Sequence, residues 1–223
     1  MCGRKTITRD MQSIIEELAI DTWQDPENYF PNYNVAPTQP SPILVYKDKR
    51  IVTPMYWGLI PNWAKDDSLA AHMINARAET VLEKPSFRNL MHRHRCIVIA
   101  DGYYEWEKTE SGKTPFYIHH PENKLLPLAG LWDQWQSPDG HRRLTYTVIT
   151  TAAQASLAPI HNRMPVIIPH DRVASWIDWK HHSAREALAL LEPDPVDLRF
   201  YPVSTLVNNP RNNSPDCIRP TSA

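Results

Sequence analysis

Several short segments hold residue types that could do chemistry, and the first lies at the N-terminus. Cys2 follows Met1, which is trimmed when the second residue is small, so we expect a mature chain that begins with cysteine. An N-terminal cysteine has an amine and a thiol on adjacent carbons, with ordinary pKa values of about 8 and about 8.5. With an aldehyde, the amine can form an imine and the thiol can close on it as a thiazolidine. The alternative is a chance cysteine in a frayed terminus.

Two polar stripes could form the walls of a site around this cysteine. On an extended strand Arg4 would point to the same side as Cys2, where its charge could hold a phosphate or lower the pKa of the amine and thiol. Asn75, Arg77 and Glu79 alternate with apolar residues, so on a strand they would share one face. That face is either solvated or the wall of a site.

A carboxyl group and an imidazole are candidates for proton transfer. Glu105 lies among aromatic residues after an apolar run, and such surroundings raise the pKa of a carboxyl group. The alternative is a glutamate in water at the end of a strand. His161 and Arg163 lie between two prolines, where His161 could carry a proton and Arg163 could bind a phosphate or a carboxylate. A structural histidine is the alternative here.

Two further features could contact nucleic acid. Trp63 lies in a loop and could stack on an unpaired base. The stretch 88–95, which includes Arg88, has three arginines and two histidines and no acid, so it is either a basic patch or a solvated loop or strand edge. The histidine clusters lack suitably spaced partners, and we therefore predict no metal site. Glycine-rich phosphate-binding motifs are absent from the sequence, which excludes nucleotide binding of those kinds.

The elements that must position these residues are mostly strands. Segments rich in β-branched and aromatic residues and bounded by turn formers predict strands at 41–47, 51–59, 95–107, 114–119, 126–136, 144–151, 165–168 and 198–203. Helices are predicted at 8–18 with Thr8 as N-cap, at 171–179 with an Asp cap, and at 183–191 with a Ser cap. The pattern indicates an α+β fold: a single domain with a strongly curved, barrel-like, mostly antiparallel sheet and a few peripheral helices.

The composition is that of a globular chain without membrane spans. Hydrophobic residues make up 42% of the 223 residues, and 24 basic residues balance 25 acidic ones, so net charge gives no hint of a nucleic-acid partner. The three cysteines are too few for a disulfide framework. There is no signal-peptide pattern and no apolar run of about 20 residues. We therefore expect a cytoplasmic monomer that has no membrane partner.

Six ordered motifs together resemble one family, the SOS response-associated peptidases (SRAP), also called abasic site processing proteins. The motifs are CGR (2–4), NVAP (34–37), WGLIP (57–61), NARAET (75–80), ADGYYEW (100–106) and HNRMP (161–165). The resemblance implies one catalytic and DNA-binding domain over 2–209 with the SRAP fold, followed by a polar, proline-rich tail over 210–223, which is either packed or partly disordered. One departure is Lys5, where the family usually has an aromatic residue.

The resemblance implies a protein of the DNA damage response that binds single-stranded DNA. Its N-terminal Cys2 would capture the aldehyde of an abasic site as a stable thiazolidine crosslink that protects the site. Asn75 would orient the captured sugar, and Glu105 and His161 would transfer protons.

The same resemblance assigns phosphate contacts to Arg4, Arg77 and Arg163. Trp63 and Arg88 are added to the DNA-binding set from the stacking and basic-patch arguments. No cofactor is implied.

Two other functions remain open at this point. A thiol, a histidine and a carboxylate could also make a cysteine peptidase that acts on its own N-terminus or on other peptides. A non-catalytic module could bind single strands through Trp63 and the basic stretch, and would then not need Cys2.

Overall fold

The computed structural model describes residues 2–110, 112–192 and 196–221. Along the chain the strands are β1 (Lys5–Ile7), β2 (Thr22–Trp23), β3 (Asn32–Val35), β4 (Pro40–Tyr46), β5 (Arg50–Trp57), β6 (Asn75–Arg77), β7 (Arg95–Val98), β8 (Gly102–Thr109), β9 (Gly112–His119), β10 (Leu128–Gln136), β11 (Arg142–Ala152), β12 (Arg163–Pro165) and β13 (Arg199–Pro202). The α-helices are α1 (Met11–Leu18), α2 (Pro85–Arg88), α3 (Leu90–Arg93), α4 (Val173–Ile177) and α5 (Ala184–Ala189).

Five of these strands close into a barrel in the order β4, β5, β11, β10, β7. Four of the neighbouring pairs are antiparallel. The pair β5 and β11 is parallel, with Tyr56 opposite Thr145. An odd number of strands cannot close with antiparallel pairs alone, so one parallel pair is required. Closure removes the exposed edges of these strands. The predicted α+β domain with a barrel-like, mostly antiparallel sheet and few helices is confirmed.

The strands outside the barrel carry the candidate site. β6 and β12 both pair with β11, which places Asn75 opposite Val148 and Arg163 opposite Ala152. A second sheet has the order β13, β9, β8, β1, β3, and in it Lys5 of β1 lies opposite Tyr103 of β8. The N-terminal segment therefore runs along the strand that carries the ADGYYEW motif.

The predicted strand 95–107 is wrong as one element, because the chain changes sheets inside it. β7 belongs to the barrel and β8 belongs to the second sheet. Between them the Asp101 carboxylate accepts hydrogen bonds from the Thr6 hydroxyl at 2.5 Å and the Thr8 amide at 2.5 Å. Gly102 follows, and a Cβ there would lie 2.3 Å from the Tyr117 hydroxyl. The residue pattern over 95–107 therefore gives no sign of this turn, which the Asp101 carboxylate fixes.

The predicted strand 165–168 is also misplaced. The strand that pairs with β11 ends at Pro165, and the chain then crosses towards β10. There the amide of Ala129 donates to the carbonyl of Val166 at 2.8 Å, and the amide of Ile168 donates to the carbonyl of Pro127 at 2.8 Å. The apolar residues remain buried, but they do not form a regular strand.

Two predicted helices differ from those observed. α1 begins at Met11, because Asp10 is its N-cap and accepts a 2.9 Å bond from the amide of Ser13. Thr8 instead donates its hydroxyl to Asp101 at 2.8 Å. The helix predicted at 171–179 is reduced to α4, which follows a 3-10 turn and has no side-chain cap.

The cap predicted for the third helix is confirmed. Ser183 and Glu186 form a capping box in front of α5.

The stretch 88–95 is neither a solvated loop nor a strand edge. It spans the end of α2, then α3, and enters β7 at Arg95. Arg95 is buried and donates to the carbonyls of Met91, Trp176 and His182 at 2.6 to 2.8 Å. Arg95 is therefore a structural cation, whereas Arg88 is exposed.

The C-terminal segment is hydrogen-bonded to the rest of the domain as far as Thr221, whose amide donates to the carbonyl of Pro202 at 3.0 Å. Cys217 is buried in the 3-10 helix Pro215–Ile218, and the Tyr201 hydroxyl donates to the carbonyl of Ile218 at 2.9 Å. Among the described residues, no helix has both the length and the apolar composition needed to cross a membrane.

Candidate active site at the N-terminal cysteine

Cys2 is fully buried and precedes β1, and a residue of β6 holds it in place. The Asn75 side-chain nitrogen donates a 2.9 Å hydrogen bond to the carbonyl oxygen of Cys2. Burial raises the pKa of the Cys2 thiol to about 12, and the negative charge of Glu105 contributes in the same direction. The thiol is therefore neutral near pH 7, and it needs a proton acceptor to react as a nucleophile.

Glu105 lies on β8, where the apolar surroundings expected from its motif are present. Its side chain is buried, and burial raises the pKa of the carboxyl group to about 7. A carboxyl group with this pKa is partly protonated and partly ionised at neutral pH. It can therefore either donate or accept a proton there.

His161 shares a small recess with Glu105 and Tyr103. The backbone amide of Arg163 donates to Nδ1 of His161 at 3.0 Å. Nδ1 also lies 3.3 Å from the carbonyl oxygen of Arg163, and the shorter contact with the amide favours Nδ1 as an acceptor, with the proton of the neutral ring on Nε2. Burial lowers the pKa of His161, so the neutral ring predominates at pH 7. Nε2 then carries the N–H.

The arginines of the predicted DNA-binding set differ in whether their guanidinium groups are exposed or bound by other residues of the protein. Arg77 is exposed at the end of β6. Arg163 instead forms a two-point ion pair with Glu79, at 2.5 and 3.0 Å, and also donates to the carbonyl of Thr150 at 2.6 Å. The strand ends at Arg77, so Glu79 does not continue the polar stripe of Asn75 and Arg77 as expected.

Arg4 is half-buried and is bound within the protein. Its Nη1 donates to Asn34 Oδ1 at 2.7 Å and to the carbonyl of Val207 at 2.6 Å. The guanidinium also lies 5.9 Å from the ring centre of Trp106. Arg4 therefore ties the segment beside Cys2 to the C-terminal part of the chain. A phosphate would have to compete with these bonds.

Sequence reasoning did not give Asn34 a role, although the NVAP motif contains it. Its side-chain nitrogen donates to the carbonyls of Val207, Asn209 and Asn212. This amide closes the polar cluster behind Arg4. Only the recurrence of the motif in the family pattern could have indicated such a role.

The two remaining predicted DNA contacts are on the surface. Trp63 is 60% exposed, which suits a stacking platform. Arg88 is exposed on α2. Within the described ranges, no three His, Cys, Asp or Glu side chains converge as a metal site would require.

The comparisons with known proteins show the family of the chain. A family model described as "SOS response associated peptidase (SRAP)" matches residues 1–210. The abasic site processing protein YoqW of Bacillus subtilis (strain 168) is 41% identical over 98% of this chain and 99% of its own length. The abasic site processing protein HMCES of Rattus norvegicus is 33% identical over 99% of this chain and 76% of its own length.

The fold is likewise similar to that of solved structures. A crystal structure of a Bacteroides thetaiotaomicron protein superposes with a TM-score of 0.88 at 26% identity, covering 99% of this chain and 100% of the other. The barrel, the buried Cys2 and the sequence matches define one class of protein. The chain belongs to the SRAP family.

Proposed function

We propose that this protein processes abasic sites in single-stranded DNA by forming a covalent thiazolidine between Cys2 and the aldehyde of the opened sugar. The observation that carries the proposal is the convergence of Cys2, Asn75 and Glu105, with His161 in the recess of Glu105. Its relatives YoqW and HMCES, both named abasic site processing proteins, support the abasic site as the substrate.

The chemistry needs one proton donor and one proton acceptor, and Glu105 can serve as both. The Cys2 amine, once free, adds to the aldehyde carbon to give a carbinolamine. The protonated Glu105 carboxyl then donates to the leaving hydroxyl, which departs as water and leaves an iminium ion. The resulting carboxylate takes the proton of the Cys2 thiol, and sulfur bonds to the same carbon. One water is released, and Glu105 returns to its protonated form.

His161 would assist at the sugar oxygen. An abasic sugar must open its ring to expose the aldehyde, and an N–H donor at the ring oxygen stabilises the developing charge. The neutral tautomer of His161 presents such a donor at Nε2. Arg77 and Trp63 are exposed and would contact the phosphates and a base of the flanking strand.

General cysteine peptidase activity is the weaker alternative. A peptidase thiol needs a lowered pKa, whereas burial raises the pKa of the Cys2 thiol to about 12. Capture of an aldehyde tolerates a neutral thiol, because the amine makes the first bond.

A denaturing gel with an abasic single-stranded oligonucleotide tests the proposal. Wild type should give a stable shifted band without borohydride treatment, and Cys2→Ala should give none. Cys2→Ser should retain at most an imine, visible only after borohydride reduction. Cys217→Ala, a change at another buried cysteine, is the matched control and should crosslink like wild type. A stable band in Cys2→Ala, or none in wild type whose intact mass shows that Met1 is absent, would refute the proposal.

A further inference from the structure

Lys5 is a fully buried lysine in β1, three residues from Cys2. Its Nζ donates to the Ser41 hydroxyl at 2.7 Å and to the carbonyl of Ile99 at 2.9 Å. Both acceptors are neutral. Lysine is almost never fully buried unless it is paired with a negative group, so this placement needs an explanation.

No carboxylate within the described ranges forms an ion pair with Lys5. Asp101 is the carboxylate whose charge acts on it. The oxygens of Asp101 already accept bonds from Thr6, Thr8 and the amide of Arg9. Asp101 therefore has its own partners in the turn between β7 and β8 and leaves the Lys5 amine without a direct counter-ion.

The other titratable group that acts on Lys5 is Cys2. The charge of Lys5 lowers the pKa of the Cys2 thiol, and the thiolate raises the pKa of Lys5. Two phenols also lie in this region, Tyr103 on β8 and Tyr146 on β11, and both stay neutral because burial raises their pKa values well above the ordinary value. Among the described residues, Asp101 and Cys2 are the groups whose negative charge acts on the Lys5 amine.

The Lys5 amine has a route to water through Ser41. The Ser41 hydroxyl, which accepts from Nζ, lines a cleft of about 440 Å³ together with Ile7, Val35 and Pro40. Protons can therefore reach Lys5 through one hydroxyl. Burial lowers the pKa of Lys5 to about 7, so the amine changes its charge within the physiological range.

We propose that Lys5 is a positioning residue for the reaction of Cys2, whose protonated amine stabilises the Cys2 thiolate at the moment of ring closure. The inference rests on the proposed function for its biological role.

The charge has a specific consequence for pH dependence. At a pH below the pKa of Lys5 the ammonium favours the thiolate, and at higher pH the neutral amine does not. For a lone thiol below its pKa, the thiolate fraction rises tenfold per pH unit. In wild type it should rise less steeply from about pH 7 upward than in Lys5→Met, because Lys5 loses its charge over the same interval. Glu105, with a pKa of about 7, and the free Cys2 amine also act on the thiol, but they do so in both proteins.

Alkylation of Cys2 by iodoacetamide, without DNA, tests this directly. The protein should begin at Cys2, as verified by intact mass, and peptide mapping separates Cys2 from the other cysteines. Near pH 6, Lys5→Met should react at least about tenfold more slowly than wild type, and the ratio should approach one above about pH 9. Lys49→Met, at an exposed lysine, should match wild type throughout. If the ratio of the two alkylation rates is one at every pH, or does not change with pH, the inference is overturned.

Two further readouts keep the test decisive if Lys5→Met does not fold. Lys5 and Glu105, whose pKa values are both about 7, each make the rise in wild type shallow, so a full tenfold rise per pH unit there would overturn the inference. Ser41→Ala keeps Lys5 but removes one acceptor of the ammonium, so the interval of shallow dependence should move to lower pH. An unmoved interval would contradict the assignment.

The crosslinking gel separates this inference from the proposed function. Loss of the pH effect with normal crosslinking refutes the role of Lys5 alone. A pH effect on alkylation without any crosslinking refutes DNA capture and leaves the control of the thiol by Lys5 in place.

Discussion

The side-chain nitrogen of Asn75 donates a 2.9 Å hydrogen bond to the backbone carbonyl of Cys2, across 73 positions of sequence. The bond fastens the start of the chain to β6. The other amide atom, Oδ1, is buried and has no hydrogen-bond partner among the described residues. An unpaired buried acceptor is costly, and a sugar hydroxyl or the free Cys2 amine would satisfy it.

Asn75→Ala should slow capture of abasic DNA by about 10- to 100-fold, because Cys2 would lose its fixed position. The measurement is the single-turnover crosslinking rate, with circular dichroism to show that the barrel is intact. Asn89→Ala, at an exposed amide outside the site, should leave the rate unchanged. Equal rates for both variants and wild type would remove Asn75 from the mechanism.

Glu105→Gln should slow crosslinking by about 100-fold or more, because the amide can neither protonate the leaving hydroxyl nor accept the thiol proton. Burial raises the pKa of Glu105 to about 7, so its acid form is lost as the pH rises through 7. The pH profile of wild type should bend near that value, and the bend should be weaker in the variant, where Lys5 still titrates in the same range. Glu107→Gln, on the same strand, is the control and should keep the bend.

Arg77 and Arg163 should differ in their contribution to DNA binding. Arg77 is exposed, whereas Arg163 is neutralised by Glu79. In Arg77→Ala the slope of log affinity against log salt for a single strand should become shallower by about 0.7, the value of one phosphate contact. Arg163→Ala should leave that slope nearly unchanged. The reverse order would show that DNA displaces Glu79 from Arg163.

Lys5 should make the stability of the fold depend on pH. Its pKa of about 7 in the folded protein lies below the ordinary value of 10.5, so the unfolded chain binds more protons between these values. Stability therefore rises with pH across that interval. The unfolding free energy of wild type minus that of Lys5→Met should increase by about 1.4 kcal/mol per pH unit between about pH 7 and pH 10. Urea unfolding measures it, with Lys49→Met following wild type; a constant difference would contradict it.

Much of the fold could be predicted because strand patterns are local. The runs that became β4, β5, β9, β10 and β11 are bounded by turn formers and rich in β-branched residues. The change of sheet at Asp101 could not be seen, because the bonds that fix it come from Thr6 and Thr8 on a distant segment. The short strands β1 and β6 carry Lys5 and Asn75, but three residues give too little periodicity to predict.

The candidate site was predictable as a set of residues but not as an arrangement. Motif order placed Cys2, Asn75, Glu105 and His161 together through a family resemblance. The pairing of Arg163 with Glu79 and the burial of Lys5 depend on which strands lie beside β11 and β1. Such contacts are set by topology, which residue spacing does not contain.

Peptide mass analysis of the crosslinked protein tests the central claim most directly. After reaction with an abasic single strand and digestion of both partners, the first peptide should begin at Cys2 and carry the sugar remnant less one water. Its thiol should no longer react with iodoacetamide, because sulfur and nitrogen both bond to the sugar carbon. A sugar attached to a lysine, to Cys96 or to Cys217, or a crosslinked peptide that still begins at Met1, would contradict the account.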